Sequence, residues 1–358
     1  MGKVVYLLGA GASYGVRSES GPMIYDAIYP HVNGDVSRVK SKCADIIEGL
    51  PIVSELSDRM RYVCTKVLQR RASVGVSSQY YNALDNLYND LDWAQKESSR
   101  HSTIDTFAKK LWLQKEWDDF NRLKRTISAF FLLEQVDNKT DKRYDSFFAS
   151  ILGEHIEDLP ENVSVLSWNY DCQFELAYSE FAKEKGIGEI ENMLHFNHKS
   201  INSVKPYSGF NVLKLNGSAI FFDRDSSTLF DPFGNRNGVE LIDFVAFISR
   251  EAANVKNALS FAWEEMGDLF KNKIRSVLKD ATTLVVIGYS FPFFNRRVDR
   301  LIFESIPNLE KVYIQDARPD GIEESVNNLL SYGALDKINK PRLIKIYDTK
   351  QFYLPPEL

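Results

Sequence analysis

Glycines at positions 9, 11 and 15, with Ser13 between them, follow directly on the apolar run Val4–Leu8. A tight turn of this kind lets backbone approach a pyrophosphate closely, and a helix starting just beyond it offers free N–H groups and a positive dipole end. Gly9, Ala10, Gly11, Ala12 and Ser13 would line that cradle, with Ser13 adding a hydroxyl donor. The spacing is GxGxxxG, not the GxGxxG of dinucleotide dehydrogenases. Those enzymes also close a second strand with an acid about 20 residues on; Asp35 falls near that distance, but 27–34 does not read as a strand. An ordinary dehydrogenase is therefore disfavoured. A bare strand-to-helix turn that holds no ligand would use the same glycines.

Four further clusters stand at the ends of apolar runs. Asn169 and Asp171, in SWNYD, can present two polar groups to one ligand, or can cap a helix starting near Gln173. Asn216, in KLNGS, precedes a glycine, and Asn-Gly is also a common hairpin turn. Gly288 and Ser290, in IGYSF with Asp299 downstream, offer close approach and a hydroxyl to a ribose or phosphate. Asp316, in IQDA, can bind a ribose hydroxyl pair, or serve as an ordinary loop residue.

The elements that must position these clusters follow from periodicity. Strand signals lie at Lys3–Leu8, Val163–Trp168, Val212–Leu215, Thr283–Ile287, Lys311–Ile314 and Leu343–Ile346. Residues 36–148 instead show helical spacing. Trp117, Phe120, Leu123, Ile127 and Phe130/Phe131 predict one buried helix face, and a second helix over Ile104–Leu113 has Ser102 or Thr103 as its cap. Ala252–Leu278 also reads as helical. Strands separated by helices predict an α/β, Rossmann-like doubly wound, mainly parallel sheet. The whole chain, 1–358, reads as a single domain with 36–148 as an α-helical insertion within it. Open sheets of this class bind ligands at the carboxyl ends of their strands, where all five clusters fall.

Composition narrows the class. Of 358 residues, 44% are hydrophobic and 26% charged, ordinary for a globular chain. A net charge of -5 argues against direct nucleic-acid binding, though a local basic patch is compatible with it. Cys43, Cys64 and Cys172 are far apart and cannot build a four-cysteine zinc site, so neither zinc nor another metal site is expected. Their low, odd count fits a reducing compartment. The N-terminal apolar stretch is too short for a signal peptide, and no run approaches a membrane span; a cytoplasmic protein that does not associate with membranes is expected.

Taken in order, GAGAS, WNYD, KLNGS, IGYSF and IQDA resemble the SIR2-like domain of bacterial proteins, which include NAD-hydrolysing antiphage effectors. Gly21-Pro22 and the segment Thr103–Phe107 resemble further parts of that family. The resemblance spans nearly the whole chain in short islands. It implies NAD as substrate or ligand, with Gly9–Ser13 at the pyrophosphate, Asn169 as principal catalytic residue beside the nicotinamide ribose, and Asp171 holding the nicotinamide end. It further implies Gly288 and Ser290 along the ribose-phosphate region and Asp316 near the adenosine ribose. The deacylase branch, with its four-cysteine zinc module, is excluded by the cysteine count.

One position departs from the family, which carries a His where this chain has Asn216. An Asn takes no proton near neutral pH, and general-base assistance is typically worth ~10²–10⁴-fold. Three outcomes are open: Asn216 bonds the ribose in a slower enzyme, His195 or His198 folds into the site, or the chain binds NAD without cleaving it. The resemblance thus implies an NAD glycohydrolase releasing nicotinamide and ADP-ribose in abortive-infection defence, activated as a homo-oligomer or by a defence-system partner protein. The alternatives are a catalytically silent NAD- or ADP-ribose-binding subunit of a larger complex, and a structural oligomer with a vestigial pocket.

Overall fold

The computed structural model describes residues 2–13, 53–74, 76–101, 103–137, 140–182, 186–199, 209–222, 241–250, 255–332 and 340–358. Its strands, in chain order, are β1 (Lys3–Leu8), β2 (Val163–Ser167), β3 (Phe196–His198), β4 (Asn211–Lys214), β5 (Phe221–Phe222), β6 (Lys256–Asn257), β7 (Ala281–Ile287), β8 (Lys311–Gln315) and β9 (Arg342–Ile346). Seven of them form one sheet in the order β3-β4-β2-β1-β7-β8-β9, with every pairing parallel. The short strands β5 and β6 pair antiparallel on their own. The carboxyl ends of all seven sheet strands therefore share one edge. β1 lies at the centre, with β2 on one side and β7 on the other, so the loops leaving β1 and β7 begin at the topological switch point.

The central strands are continuous β-branched and aliphatic runs because both of their faces are covered. In β1, alternate residues serve opposite layers. Val5 and Leu7 pack with helices α1 (Val53–Val74), α2 (Tyr81–Ser98), α3 (Ile104–Gln114), α4 (Trp117–Asp137), and with later helices on the same side. Val4, Tyr6 and Leu8 pack with α5 (Lys142–Ile151), α6 (Gln173–Phe181), α7 (Ile187–Met193) and the C-terminal Phe352. The later helices are α8 (Leu241–Arg250), α9 (Asp268–Leu278), α10 (Arg296–Glu304) and α11 (Pro319–Tyr332). The chain is thus an α/β, Rossmann-like doubly wound fold. Each aliphatic side chain of β1 that is fully removed from water contributes ~1.5–3 kcal/mol, and helices on both faces bury Val4, Val5 and Leu7 completely.

Between β1 and β2 the described regular elements are helical: a 3₁₀ turn at Ala10–Ser13, then α1–α5. Of the insertion expected at 36–148, residues 36–52 lie outside the described residues, as do Asp35 and Gly21-Pro22. Thr103 caps α3, its Oγ1 accepting the Thr106 N–H at 3.0 Å. Along α4, Phe120, Leu123, Ile127, Phe130 and Phe131 are buried as the spacing predicts, while Trp117 stays exposed.

One local expectation is corrected, and one sheet strand was not anticipated. Ala252–Leu278 is not one helix: β6 and an irregular stretch over 258–267 precede α9. Side chains there compete with helical backbone bonding, since Asn257 Oδ1 accepts from Leu259 N–H at 2.7 Å and Glu264 Oε1 from Phe261 N–H at 2.6 Å. The edge strand β3 carried too short a run to be read from periodicity.

Among the described residues no helix is long and apolar enough to cross a membrane.

Candidate functional site at the carboxyl edge of the sheet

The glycine turn is built as a backbone-to-backbone seam between the loops after β1 and β7. Gly9 N–H donates to Ile287 O at 3.0 Å and Gly11 N–H to Gly288 O at 2.9 Å. A Cβ on Gly9 would sit 2.5 Å from Gly288 O, and one on Gly11 would sit 2.7 Å from Gly288 Cα. Gly288 itself has φ +56°, and a Cβ there would fall 2.4 Å from Gly11 Cα. These three glycines are therefore required by packing. The Gly11 N–H, expected to face a pyrophosphate, is spent on Gly288. Tyr14 and Gly15, which complete the motif, lie outside the described residues.

Beneath the turn lies a group that sequence reasoning missed. Arg143, at the start of α5, is buried, and its Nη2 donates to Gly11 O at 2.9 Å and Ala12 O at 3.1 Å. Asp141 holds the guanidinium at 2.8 Å and also caps α5, its Oδ1 accepting the Arg143 N–H at 3.0 Å. Charge-assisted bonds of this kind are the strong ones. They fix the turn's carbonyls and leave the paired guanidinium no role as a free phosphate ligand.

Side chains from three elements meet above that turn. Asn169 Nδ2 donates to Ser13 Oγ at 3.0 Å, and Ser13 Oγ shares a 3.0 Å bond with the Tyr144 hydroxyl. Ser13, Asn169 and Tyr144 are all buried, and burial pushes the Tyr144 phenol well above its ordinary range, so it stays neutral. Gln173 bridges the same group, accepting the Asp141 N–H at 3.0 Å. Asp171 Oδ1 accepts the N–H of Gln173, the first residue of α6, at 3.0 Å, while the N-cap itself is Cys172, whose side chain makes no cap bond. Of the two residues expected to cap this helix, Asp171 bonds its first N–H, while Asn169 is joined to the first loop instead.

Three buried acceptors at this edge have no hydrogen-bond partner among the described residues: Asn169 Oδ1, Asp171 Oδ2 and Asn216 Oδ1. Leaving one such group unmade costs ~1–3 kcal/mol. The strand ends that carry them are adjacent, since Leu215 N–H donates to Ser167 O at 2.8 Å and Asn216 Nδ2 to Trp168 O at 3.3 Å. Asn216-Gly217 forms a turn with Gly217 at φ 68°, but no hairpin, because β4 and its neighbours are parallel.

A buried charged group backs the β4 side. Lys214 Nζ donates to Asp171 O at 2.5 Å and forms a buried ion pair with Glu175 Oε1 at 3.5 Å. Burial pushes the Glu175 carboxyl up to about 7, with Lys214 opposing the shift. For Lys214, burial favours the neutral amine, but Glu175, Asp171 and Cys172 outweigh it and hold the ammonium charged.

The imidazole that reaches this edge is His198. Its Nδ1 lies 3.2 Å from Ser218 Oγ and its Nε2 3.3 Å from Glu191 Oε1. His195, expected in the site, is instead at the opposite end of β3. Register pairs Phe196 with Val212 and His198 with Lys214, so His195 precedes the strand at its amino end, in a left-handed turn at φ 49°.

The β7–β8 side is looser. Ser290 is exposed at the rim, while Tyr289 turns inward, stacks on Trp168 at 5.7 Å and donates to Asp299 at 2.9 Å. Burial holds the Asp299 carboxyl well above its usual range. Asp316 leaves the carboxyl end of β8, two strands from β1, and its Oδ1 accepts the Arg318 N–H at 2.7 Å, as an ordinary turn residue does. The structure therefore brings together Gly9–Ser13, Asn169, Asp171, Asn216 and Gly288, leaves Ser290 and Asp316 at the periphery, and puts His195 elsewhere.

Among the described residues no three His, Cys, Asp or Glu side chains are grouped to hold a metal ion. No family model matches this chain, and neither a curated protein nor a solved structure matches it.

Proposed function

We propose that the carboxyl edge of the sheet binds NAD and hydrolyses its nicotinamide–ribose bond, giving nicotinamide and ADP-ribose. The supporting observation is the 3.0 Å bond from Asn169 to Ser13, which joins the first loop to a strip holding three unpartnered buried acceptors. Ribose hydroxyls and a carboxamide are donors of the kind those acceptors lack. The resemblance to SIR2-like proteins supplies the identity of the ligand.

The chemistry asks little of titrating groups. Nicotinamide leaves its cationic pyridinium form as a neutral ring, so no general acid is required, unlike at an ordinary glycoside. The C1′–N bond breaks, a water oxygen adds at C1′, and one proton is released. Asn169 orients the ribose and stabilises developing positive charge through its carbonyl oxygen. Asn216 contributes a hydrogen bond and no proton transfer. Activation through self-assembly or a defence-system partner belongs to this proposal on the same resemblance, since an unregulated enzyme would drain NAD from its own cell. Free nicotinamide released from NAD by the assembled protein, lost on Asn169→Ala, is the required result; undiminished release in that variant rejects the site.

A second reading is a silent NAD- or ADP-ribose-binding subunit. Asn216 in place of a base favours it, as does the Gly11 N–H already committed to Gly288. Asn216→His separates the two: a large gain in turnover marks a site that had lost its base.

A further inference from the structure

On a chain of net charge -5, four cationic side chains among the described residues meet beside the loop that leaves β7. A cavity of about 590 Å³ opens between α3, α10 and the stretch around Trp263, lined by Lys109, Arg296, Arg297 and Arg300 with Trp263 and Phe293. One carboxylate, Glu304, shares the lining with those four cations. The arginines project there because α10 buries Val298, Asp299, Ile302 and Phe303 on its other face. Arg296 and Arg297 are exposed and have no ion-pair partner among the described residues.

The aromatic groups are arranged for a flat ligand. Phe293 is 77% exposed, an open ring that nothing in the fold requires to face solvent. Trp263 is stacked on Phe261 at 5.4 Å and covered by the Lys109 ammonium at 4.2 Å, so it is held in place and offers an edge. Its indole Nε1–H is buried and without a hydrogen-bond partner among the described residues. Several cations, one orphaned donor and one open ring match a ligand with more than one anionic oxygen and a planar ring. A drug-sized ligand occupies ~300–1,000 Å³, so the volume suits a single small molecule. Aromatic faces stack bases without regard to sequence, and guanidinium groups take phosphate oxygens in pairs. An acidic peptide would leave Phe293 unused.

We infer that this cavity, built on the loop that leaves β7, is a binding site for a nucleoside polyphosphate, an assignment that does not rest on the NAD reading. Lys109, Arg296, Arg297 and Arg300 hold the phosphates, Phe293 stacks the base, and Trp263 donates its indole N–H. Calorimetric titration of the full chain with ATP, adenosine, inorganic triphosphate and a ten-nucleotide single-stranded RNA tests it. ATP is expected to bind more tightly than triphosphate or adenosine, and the double reversal Arg296→Glu/Arg297→Glu to weaken ATP at least tenfold with an unchanged thermal melt. Phe293→Ala, at a solvent-facing ring, should narrow the gap between ATP and triphosphate. Asn169→Ala should leave ATP binding intact. Absence of ATP binding, insensitivity to the charge reversal, or loss of ATP binding in Asn169→Ala overturns the assignment. Triphosphate binding as tightly as ATP removes the base from it, and RNA binding tenfold more tightly than ATP replaces the small ligand with a strand.

Discussion

The two flanks of β1 end in opposite ways. Toward β7, the loops meet backbone to backbone, Gly11 on Gly288, with the N–H groups of Gly9 and Gly11 satisfied inside the fold. Toward β2 and β4, the edge is made of buried side chains, and three of their acceptors go unmet. Glycines whose spacing reads as a phosphate cradle serve first as a packing seam, whereas the Asn and Asp positions, which read equally well as caps, carry the unspent hydrogen-bonding capacity. In this chain the capacity to bind lies beside the conspicuous motif and is anchored to it through Ser13.

Breaking the seam should have the largest effect. Gly288→Ala forces a Cβ against Gly11 at a left-handed φ, and we expect a loss of about 3 kcal/mol or more in urea unfolding. Gly188→Ala in α7, where an added Cβ meets nothing within 4 Å, is the matched control and should stabilise by about 0.5–1 kcal/mol. Equal effects at the two glycines would remove the distinction.

The pH response sharpens the other flank. Burial pushes the Glu175 carboxyl up to about 7, above its ordinary value of 4.5. The native state therefore binds the extra proton between those values, and stability falls as pH rises from about 4.5 to 7, then levels off. The loss is on the order of 1–3 kcal/mol. Glu175→Gln should flatten that slope in part, because burial also raises Asp105 and Asp299. A slope unchanged in Glu175→Gln would assign it to Asp105 and Asp299 instead.

A double-mutant cycle on Ser13→Ala and Asn169→Ala should give about 0.5–1.5 kcal/mol of coupling, the worth of one buried hydrogen bond. Zero coupling would detach the motif from the polar strip. The smallest expected effect is at His195, where His195→Ala should leave nicotinamide release within about twofold, while His198→Ala reduces it more, general-base assistance being worth ~10²-fold or above where it operates.

Much of the fold was legible because the central strands are bounded apolar runs, and a parallel sheet puts every strand end on one edge. Asn169 and Asn216 were legible because each follows such a run directly. Arg143 and Tyr144 were not, since they come from the far end of the helical region, 132 and 131 positions from the loop atoms they bond, and carry no local signal. Glu175 and Lys214 were hidden for another reason. A charged residue inside an amphipathic helix or a short strand looks solvated in sequence, and only the fold reveals that it is paired in the interior. His195 and His198 lie at opposite ends of β3, His195 just before its first residue and His198 as its last, so only His198 comes to the carboxyl edge.

Arg143 and Tyr144 sit side by side on α5, one gripping two successive carbonyls of the first loop and the other touching Ser13. The loop cannot slide without dragging that helix, and the helix cannot tilt without tugging on Asn169. A displacement of α5 would therefore reach Asn169 through the Tyr144–Ser13–Asn169 hydrogen bonds.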